Sequence, residues 1–378
     1  SADIPEIELL SDVQQLVVKD PILNLQLKLR SKQSPLNRLL VSVNDVPLEG
    51  RNGKFVGDQN PKEQLHELRI PLNRKNNQIK ITVSNQAGMF AEPIRFQVFY
   101  EGPEQKPRLY VIGLGVAIYS DQRLNLRYPN KDVEDVLRIF SSNNQAYDTI
   151  ITRSLLNEAF TTDRLKALRA LLEQTEVDDR VVLFYAGHGI IDAQSNYYLA
   201  TTTVDFDHPA SGGVAYEVLE NLLDGIPARR KLLFLDACFS GEIDQSAVKA
   251  MNKAATSMGS VRPRSIYRSQ NDPGLGLNNT LELMKELFVD LRRNTGATVI
   301  SSAGGFEFAW EGKQWNNGVF THCLQEGLET FAADSNGDRQ IMVSELQSYL
   351  AKAVLQKTKG QQRPAFRVEN VINDWRIW

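Results

Sequence analysis

KLLFLDACFSGE, residues 231–242, is a run of β-forming residues that ends in an acid, a cysteine and small residues. A second run of this kind, VVLFYAGHGI at 181–190, ends in a histidine between two glycines. Continuous apolar runs of this length are typical of strands that are buried on both faces of a parallel sheet. Ligands bind beyond the carboxyl ends of such strands, so the sequence predicts that Cys238 and His188 lie at the same functional edge.

The segments around these two runs alternate between strand and helix patterns. This alternation indicates a mostly parallel sheet with helices on both faces, and we assign it to a domain at 108–378. The predicted strands are 108–117, 147–153, 181–189, 231–238 and 297–304, and the predicted helices are 131–140, 161–174, 216–225 and 280–293.

Residues 1–104 have a different pattern. Apolar and polar residues alternate at period two, polar turns separate the runs, and no helical stretch is present, which predicts a small all-β sandwich. The segment 101–107 contains two prolines and is predicted to be a short linker. His66 is the only histidine of this region, and we expect it to be a surface or packed residue.

Composition narrows the class of protein. Of 378 residues, 42% are hydrophobic and 24% charged, and the net charge is −3, so we expect a soluble protein without a nucleic-acid partner. No apolar run reaches the roughly 18 residues of a membrane helix, and no membrane association is expected. The 2 cysteines allow at most one disulfide, which favours a reducing, cytoplasmic compartment. The chain begins with Ser1, which leaves open an upstream domain or a partner that contacts the sandwich.

Cys238 and His188 together suggest nucleophilic catalysis. A thiol becomes an effective nucleophile when an imidazole takes its proton, and glycines let the backbone approach a substrate carbonyl. The amides of Gly189 and Cys238 would then form an oxyanion hole. The alternative for each residue alone is structural: a buried cysteine as a small apolar side chain, and a histidine as a satisfied polar one.

At these residues the chain resembles the caspase-like cysteine peptidases, in particular the metacaspase, paracaspase and bacterial caspase-like branch. Cys238, in the motif D-A-C-F-S-G, lies 50 residues after His188, which is the separation typical of that family. The resemblance covers about residues 108–370 and implies a Cys–His dyad, with Cys238 more reactive towards alkylation than Cys323. Bacterial relatives often carry an immunoglobulin-like domain upstream, which suggests the same for the sandwich.

The resemblance also bears on specificity. Caspases have a glutamine two positions before the nucleophile and pocket arginines that bind an aspartate. This chain has Asp236 in place of that glutamine and Glu311, in A-W-E, in place of a pocket arginine. Asp132 matches a pocket aspartate of metacaspases and paracaspases. These acids imply cleavage after Arg or Lys at P1, the substrate residue before the cut bond. The alternative is a first-turn carboxylate at Asp132 and a surface charge at Glu311.

The segment 244–279 has few structural signals and is expected to be a flexible or processed loop. Since caspase-like enzymes are often cut between their two parts, its basic residues are candidate self-processing sites: Lys249, Lys253, Arg262, Arg264 and Arg268. A solvated insertion is the alternative.

The segment ADSNGDRQIMVSEL, 333–346, has the oxygen spacing of a calcium loop. Its candidate ligands are Asp334, Asn336, Asp338, Gln340 and Glu345. Arg339 replaces the usual glycine of the turn, and capping of the adjacent helices is the alternative. The peptidase chemistry itself requires no cofactor, and calcium is the one ion that the sequence suggests.

The remaining polar residues support no further site. His208 has no second ligand at a suitable spacing, and His322 and Cys323 lie in a predicted helix. The glycines of IGLGVA lack the rest of a nucleotide motif. The sequence thus predicts a cysteine endopeptidase for substrates with a basic P1 residue, and the rival is a catalytically silent caspase-like scaffold that acts as an interaction module.

Overall fold

The computed structural model describes most of the chain. The described residues are 3–13, 16–57, 63–142, 145–240, 253, 255–259, 261–264, 286–287, 289, 291, 293–304, 308–366 and 374–378. In this part of the chain no helix is long and apolar enough to cross a bilayer.

The N-terminal region consists of strands that form two sheets. One sheet has the order β1-β3-β7, and the other has the order β2-β9-β8-β4-β5 with β6 beside β4. The strands are β1 (Glu6–Leu9), β2 (Leu16–Val18), β3 (Ile22–Arg30), β4 (Leu36–Val43), β5 (Val46–Pro47), β6 (Lys54–Phe55), β7 (Glu63–Pro71), β8 (Lys75–Asn85) and β9 (Ile94–Tyr100). All their pairings are antiparallel except that of β2 with β9.

Alternation of side chains explains this packing. In β3 the leucines at 23, 25, 27 and 29 are buried and join one apolar cluster with residues of β4, β7 and β8. Side chains of a strand alternate between its two faces, so each sheet contributes one apolar face to a shared core. The predicted all-β sandwich is confirmed.

The remaining described chain is an α/β domain. Its strands are β10 (Leu109–Gly115), β11 (Ile150–Leu156), β12 (Arg180–Ala186), β13 (Gly189–Ile191), β14 (Tyr197–Leu199), β15 (Val214–Ala215), β16 (Arg230–Asp236), β17 (Phe239–Ser240), β18 (Val261–Pro263), β19 (Thr298–Ser301), β20 (Trp310–Gly312), β21 (Asn317–Gly318) and β22 (Ala365–Phe366). Its helices are α1 (Pro129–Ser142), α2 (Thr162–Ala167), α3 (Arg169–Leu172), α4 (Tyr216–Leu223), α5 (Val319–Glu329) and α6 (Val343–Lys357), with short 3₁₀ turns at Gln122–Leu124 and Asn157–Ala159.

The central sheet has the order β11-β10-β12-β16-β19-β22. Its pairings are parallel except for β22, which is an antiparallel edge strand. The side chains of β12 and β16 alternate between two apolar clusters, one on each face of the sheet. Helices α1, α5 and α6 cover one face and α2, α3 and α4 the other, as the sequence predicts for this fold class.

Two predicted elements differ from the structure. The single helix expected at 161–174 is wrong: α2 ends at Ala167 and α3 begins at Arg169, because the Leu168 amide bonds to the Leu165 carbonyl in a tighter turn. Leu165 and Leu172 still face the same core, which is why the apolar spacing resembled one helix. The strand expected at 147–153 lies at 150–156. Most of the helix expected at 280–293 lies outside the described residues.

Candidate active site

The register of the central strands brings Cys238 and His188 together. β12 and β16 run parallel, with Ala186 opposite Asp236. The extensions β13 and β17 keep the same offset, with Gly189 opposite Phe239. His188 and Cys238 therefore occupy matching positions just beyond two neighbouring strands, and the 50-residue separation in sequence is the register of the sheet.

Gly189 allows strands β13 and β17 to approach each other closely beside Cys238. A side chain at Gly189 would place its Cβ 2.5 Å from the Cys238 carbonyl oxygen and 2.1 Å from the Tyr197 hydroxyl. Only glycine fits this position. This close approach is compatible with the predicted oxyanion hole of Gly189 and Cys238 amides, which stays a prediction.

Hydrogen bonds hold His188 in position. Its Nε2 lies 2.8 Å from the Leu124 carbonyl oxygen, and a carbonyl only accepts, so Nε2 carries the proton. Its backbone N–H donates to the Tyr119 hydroxyl at 3.1 Å. Nδ1 is buried and has no hydrogen bond of ordinary geometry in the described part of the chain. This tautomer leaves Nδ1 as the nitrogen that can take a proton.

Cys238 is more enclosed than the sequence suggested. Its side chain is 1% exposed, and the Ala309 amide donates to Sγ at 2.9 Å. Burial raises the pKa of Cys238 to about 12 and lowers the pKa of His188 to about 4. In this state the pair is a neutral thiol and a neutral imidazole. Both thiols are buried in this state, and the expected faster alkylation of Cys238 than of Cys323 stays a prediction.

The three predicted pocket acids converge on one cation, Arg264. Asp132 accepts a hydrogen bond from Nη2, Asp236 Oδ2 lies 2.8 Å from Nη1, and Glu311 Oε2 lies 3.3 Å from Nε. The side chains of Arg264, Asp132, Asp236 and Glu311 are all fully or almost fully buried. Asp132 does lie in the first turn of α1, as its alternative expects, but its carboxylate is also buried against Arg264. Glu311 is buried and is not a surface charge.

Several neighbours that the sequence analysis missed hold these acids. Asn317 Nδ2 donates to Asp132 Oδ1 at 2.9 Å, and the Thr321 hydroxyl donates to Asp236 Oδ2 at 3.0 Å. The Arg127 amide donates to Glu311 Oε1 at 2.8 Å. Gly318 leaves room for the guanidinium, because a Cβ there would lie 2.7 Å from Arg264 Nη2. The run NNG at 316–318 carried no recognisable signal of this role.

Burial and the mutual attraction of the acids and Arg264 set the pKa values of the pocket residues. Burial raises the pKa of Asp132 to about 7 and raises that of Asp236, while Arg264 opposes both shifts. Burial would lower the pKa of Arg264, but Asp236, Asp132 and Glu311 outweigh it and raise that pKa above its ordinary value. The three acids thus keep the Arg264 guanidinium protonated, although burial alone would favour its neutral form.

Arg264 reaches the pocket at the end of a strand. β18 pairs antiparallel with β20, with Arg262 opposite Glu311, and the Arg264 amide then donates to the Ala309 carbonyl at 2.8 Å. The Arg264 backbone also opposes the effect of burial on the pKa of Cys238 and on that of His188. Arg264 therefore has its side chain among the acids and its backbone beside the thiol.

The candidate processing sites differ in their surroundings. Arg264 is buried in the acidic pocket, whereas Arg262 and Lys253 are exposed. Lys249 and Arg268 lie outside the described residues. In the described part of 244–279, residues 255–258 are helical and Val261–Pro263 form β18, and the expected flexible or processed loop stays a prediction.

The predicted calcium loop lies between α5 and α6. Asp334 accepts from the amides of Gly337 and Arg339 at 2.8 Å each, and Glu345 Oε2 accepts from the Met342 amide at 3.0 Å at the start of α6. These bonds fit the capping alternative. Arg339 takes a positive φ of 60°, the turn that calcium loops usually give to glycine. Among the described residues no group of three or more His, Cys, Asp or Glu is arranged to hold a metal ion. Calcium binding through Asp334, Asn336, Asp338, Gln340 and Glu345 stays a prediction.

The other singled-out residues lie away from the dyad. His322 and Cys323 are in α5, and Cys323 packs in the core of one face of the sheet. His208 is exposed, and its Nδ1 lies 3.3 Å from Asp205 Oδ2. His66 is half-buried in β7 of the sandwich.

The fold and the site are those of an α/β protein with a cysteine and a histidine at the carboxyl edge of its sheet. The family model for the caspase domain, Peptidase_C14, matches residues 110–374. That match covers more than half of the chain, and the chain belongs to the caspase-domain peptidase family.

Two solved structures were compared with the chain. The crystal structure of protein GSU0716 from Geobacter sulfurreducens is 18% identical, with a TM-score of 0.46, and the match covers 69% of this chain and 93% of that one. The fibronectin(III)-like modules of CbhA from Clostridium thermocellum are 12% identical, with a TM-score of 0.20, over 27% of this chain and 48% of that one. No curated protein matches the chain.

Proposed function

We propose that this chain is a cysteine endopeptidase that cleaves after arginine, with Cys238 as nucleophile and His188 as base. The Cys238 proton passes to His188 Nδ1, and Sγ bonds to the carbonyl carbon of the P1 residue. The C–N bond then breaks, the leaving amine takes the proton from His188, and water hydrolyses the thioester. The Gly189 and Cys238 amides would stabilise the oxyanion.

One observation carries the proposal: Arg264 lies in the pocket as a P1 arginine would. Its guanidinium meets Asp132, Asp236 and Glu311, and its backbone amide donates to the carbonyl of Ala309, whose own amide donates to Cys238 Sγ. A buried guanidinium is stable only with well-placed partners, so a pocket that holds one so completely is suited to bind one.

The same contacts favour Arg over Lys and exclude Asp. Glu311 contacts Nε of the guanidinium, while Asp132 and Asp236 each contact one of its two terminal nitrogens. The three nitrogens lie in one plane, an arrangement that the single ammonium of lysine does not offer. An aspartate at P1 would face three carboxylates. We therefore expect kcat/KM in the order Arg, Lys, Asp.

Fluorogenic peptides that differ only at P1 test this order. The wild-type chain should hydrolyse Arg peptides, Lys peptides more slowly and Asp peptides not measurably, while Cys238→Ala and His188→Ala should be inactive. The rival is a silent caspase-like scaffold acting through its sandwich. No hydrolysis of any peptide by a folded wild-type chain would favour that scaffold, and efficient cleavage after Asp would contradict the proposed pocket.

The same geometry supports a proposal of self-processing at the Arg264–Ser265 bond. In the uncut chain Arg264 fills the site, so a second substrate cannot enter until this segment leaves. Cleavage here would turn an internal occupant into a product with a free carboxylate, which can dissociate. The other candidate sites in the described part, Lys253 and Arg262, are exposed and lack these contacts.

Arg262 provides a matched control, since it lies in β18, two residues before Arg264. Intact mass spectrometry should find the cut after residue 264 in wild type and Arg262→Ala, and none in Cys238→Ala. Arg264→Ala should also stay whole, and Arg264→Lys should be cut slowly while keeping a cation among the acids. A cut that persists in Arg264→Ala, or that appears in Cys238→Ala, would contradict self-processing at this bond.

A further inference from the structure

A cavity lies between the sandwich and the α/β domain, away from the dyad. Its volume is about 290 Å³. Leu39, Leu48 and Leu68 line it from the sandwich, and Val177 and Ile226 line it from the α/β domain. Small-molecule sites typically measure about 300–1,000 Å³, so this cavity has room for a small ligand and not for a folded segment.

Contacts on both sides hold the walls of the cavity together. The Arg51 amide donates to Asp224 Oδ1 at 2.9 Å, and Asn73 Nδ2 donates to the Val177 carbonyl at 2.8 Å. Gly225 lies so close to the sandwich that a Cβ there would be 3.0 Å from the Gly50 amide nitrogen. The cavity is therefore a bounded space within a packed interface, and not a loose gap between domains.

The polar lining of the cavity is mostly cationic. Lys54, Arg69 and Arg229 line it, against a single acid, Glu49. Lys54 and Arg69 are exposed, whereas Arg229 is 4% exposed. One charge thus lies deep in the interface, and two lie where the lining meets solvent.

Arg229 carries an unsatisfied donor. Its Nη1 donates to Asn73 Oδ1 at 2.6 Å and its Nη2 to the Pro71 carbonyl, but its Nε is buried without a partner among the described residues. Burial lowers the pKa of Arg229 to about 10, and Arg230 adds to this effect while Asp178 opposes it. A buried cation at the wall of a cavity is unfavourable without enough negative charge around it, and an anion in the cavity would supply such charge.

We propose that this cavity binds a small amphipathic anion, with its carboxylate or phosphate group at Arg229 and its apolar body between Leu48 and Ile226. The site is separate from the peptidase pocket: Arg229 immediately precedes β16, and Cys238 follows the other end of that strand. A ligand here would contact both domains and would stabilise their arrangement.

Calorimetry on the full chain carrying Cys238→Ala tests the proposal without reference to peptidase activity. The probes share one apolar chain: octanoate, octyl phosphate, 1-octanol and octylammonium. We expect one molecule of octanoate or octyl phosphate per chain, with 1-octanol and octylammonium bound at least tenfold more weakly. The comparison of octanoate with octyl phosphate identifies the preferred head group.

Variants locate the binding. Leu48→Trp fills the cavity from its half-buried sandwich side, and Lys54→Ala with Arg69→Ala removes the outer cations; each should raise the Kd at least tenfold. Lys80→Ala, an exposed cation of the sandwich outside the lining, should leave the Kd unchanged. The proposal is overturned if neither anion binds at up to about 5 mM, if 1-octanol binds as well as octanoate, or if the cavity variants bind like the wild type.

Discussion

At the scale of single residues, the pocket is a balance of three carboxylates against one guanidinium. Asp132, Asp236 and Glu311 each contact a different nitrogen of Arg264, and all four side chains are buried. Removing one member of a buried charged group costs more than losing a surface pair, because the remaining charges stay desolvated. Substitutions here should therefore have effects on substrate binding that are large and specific to charge.

Asp236→Asn should lower kcat/KM for P1-Arg peptides by one to two orders of magnitude. The change removes a charged hydrogen bond that contributes roughly 1.5–3 kcal/mol, and about 1.4 kcal/mol corresponds to a factor of ten. Glu311→Arg should be worse, because repulsion is added to the lost attraction. The control is Asp135→Asn: Asp135 contacts Asn317 and Lys131 and makes no ion pair with Arg264. Equal losses in Asp135→Asn and Asp236→Asn would count against a charge-reading pocket.

Cleavage after Arg should weaken in mild acid. Burial raises the pKa of Asp132 to about 7 and raises that of Asp236, so these groups lose their negative charge as the pH falls through the raised values. An ordinary aspartate would stay charged to about pH 4. His188, whose pKa burial lowers to about 4, keeps its basic form over this window. The kcat/KM for P1-Arg peptides should fall from about pH 7 to pH 5, mainly through KM.

Asp132→Asn is the variant that separates this effect from titration of the base. Its kcat/KM should start lower and depend less on pH between pH 5 and 7. A profile that is flat to pH 5 in the wild type, or one that is the same in Asp132→Asn, would show that pocket carboxylates do not set the acid limb.

At the scale of secondary-structure elements, the sequence predicted the strands of the central sheet well, because burial on both faces makes such strands apolar along their whole length. The runs that became β12 and β16 were apolar throughout, and their 50-residue offset is the register of the sheet. The break at Leu168 was not predictable, because both helical pieces present leucines to the same core. The position of Arg264 was not predictable either: five basic residues of its segment looked alike, and only the pairing of β18 with β20 brings this one to the acids.

Calcium binding by the loop between α5 and α6 is a separate prediction. If it binds calcium, Asp334→Ala with Asp338→Ala removes two charged ligands and should reduce the affinity at least tenfold in calorimetry. Ser335→Ala, which loses only a hydroxyl bond to Glu345, should retain it. Absence of calcium binding by the wild-type chain would leave the loop with its capping bonds as its role.

At the scale of the whole molecule, buried polar contacts join the sandwich to the α/β domain. Asn73 Nδ2 donates to the Val177 carbonyl and to Asp178 Oδ1, and its Oδ1 accepts from Arg229. Asn73→Ala removes these hydrogen bonds and takes an acceptor from the buried Arg229 guanidinium, so it should lower the free energy of unfolding by about 1–3 kcal/mol. Asn76→Ala, an exposed neighbour in β8, should have little effect in the same urea titration. Equal stability of the two variants would mean that the interface contributes little.

The most direct test of the central claim is covalent labelling with an arginyl chloromethyl ketone, read out by intact and peptide mass spectrometry. The reagent needs both a P1 pocket that accepts arginine and a nucleophile at the reacting carbon. We predict one equivalent of label on Cys238, none on Cys323, none in Cys238→Ala, and none from the matched aspartyl reagent. Labelling of Cys323, or equal labelling by the arginyl and aspartyl reagents, would contradict the account.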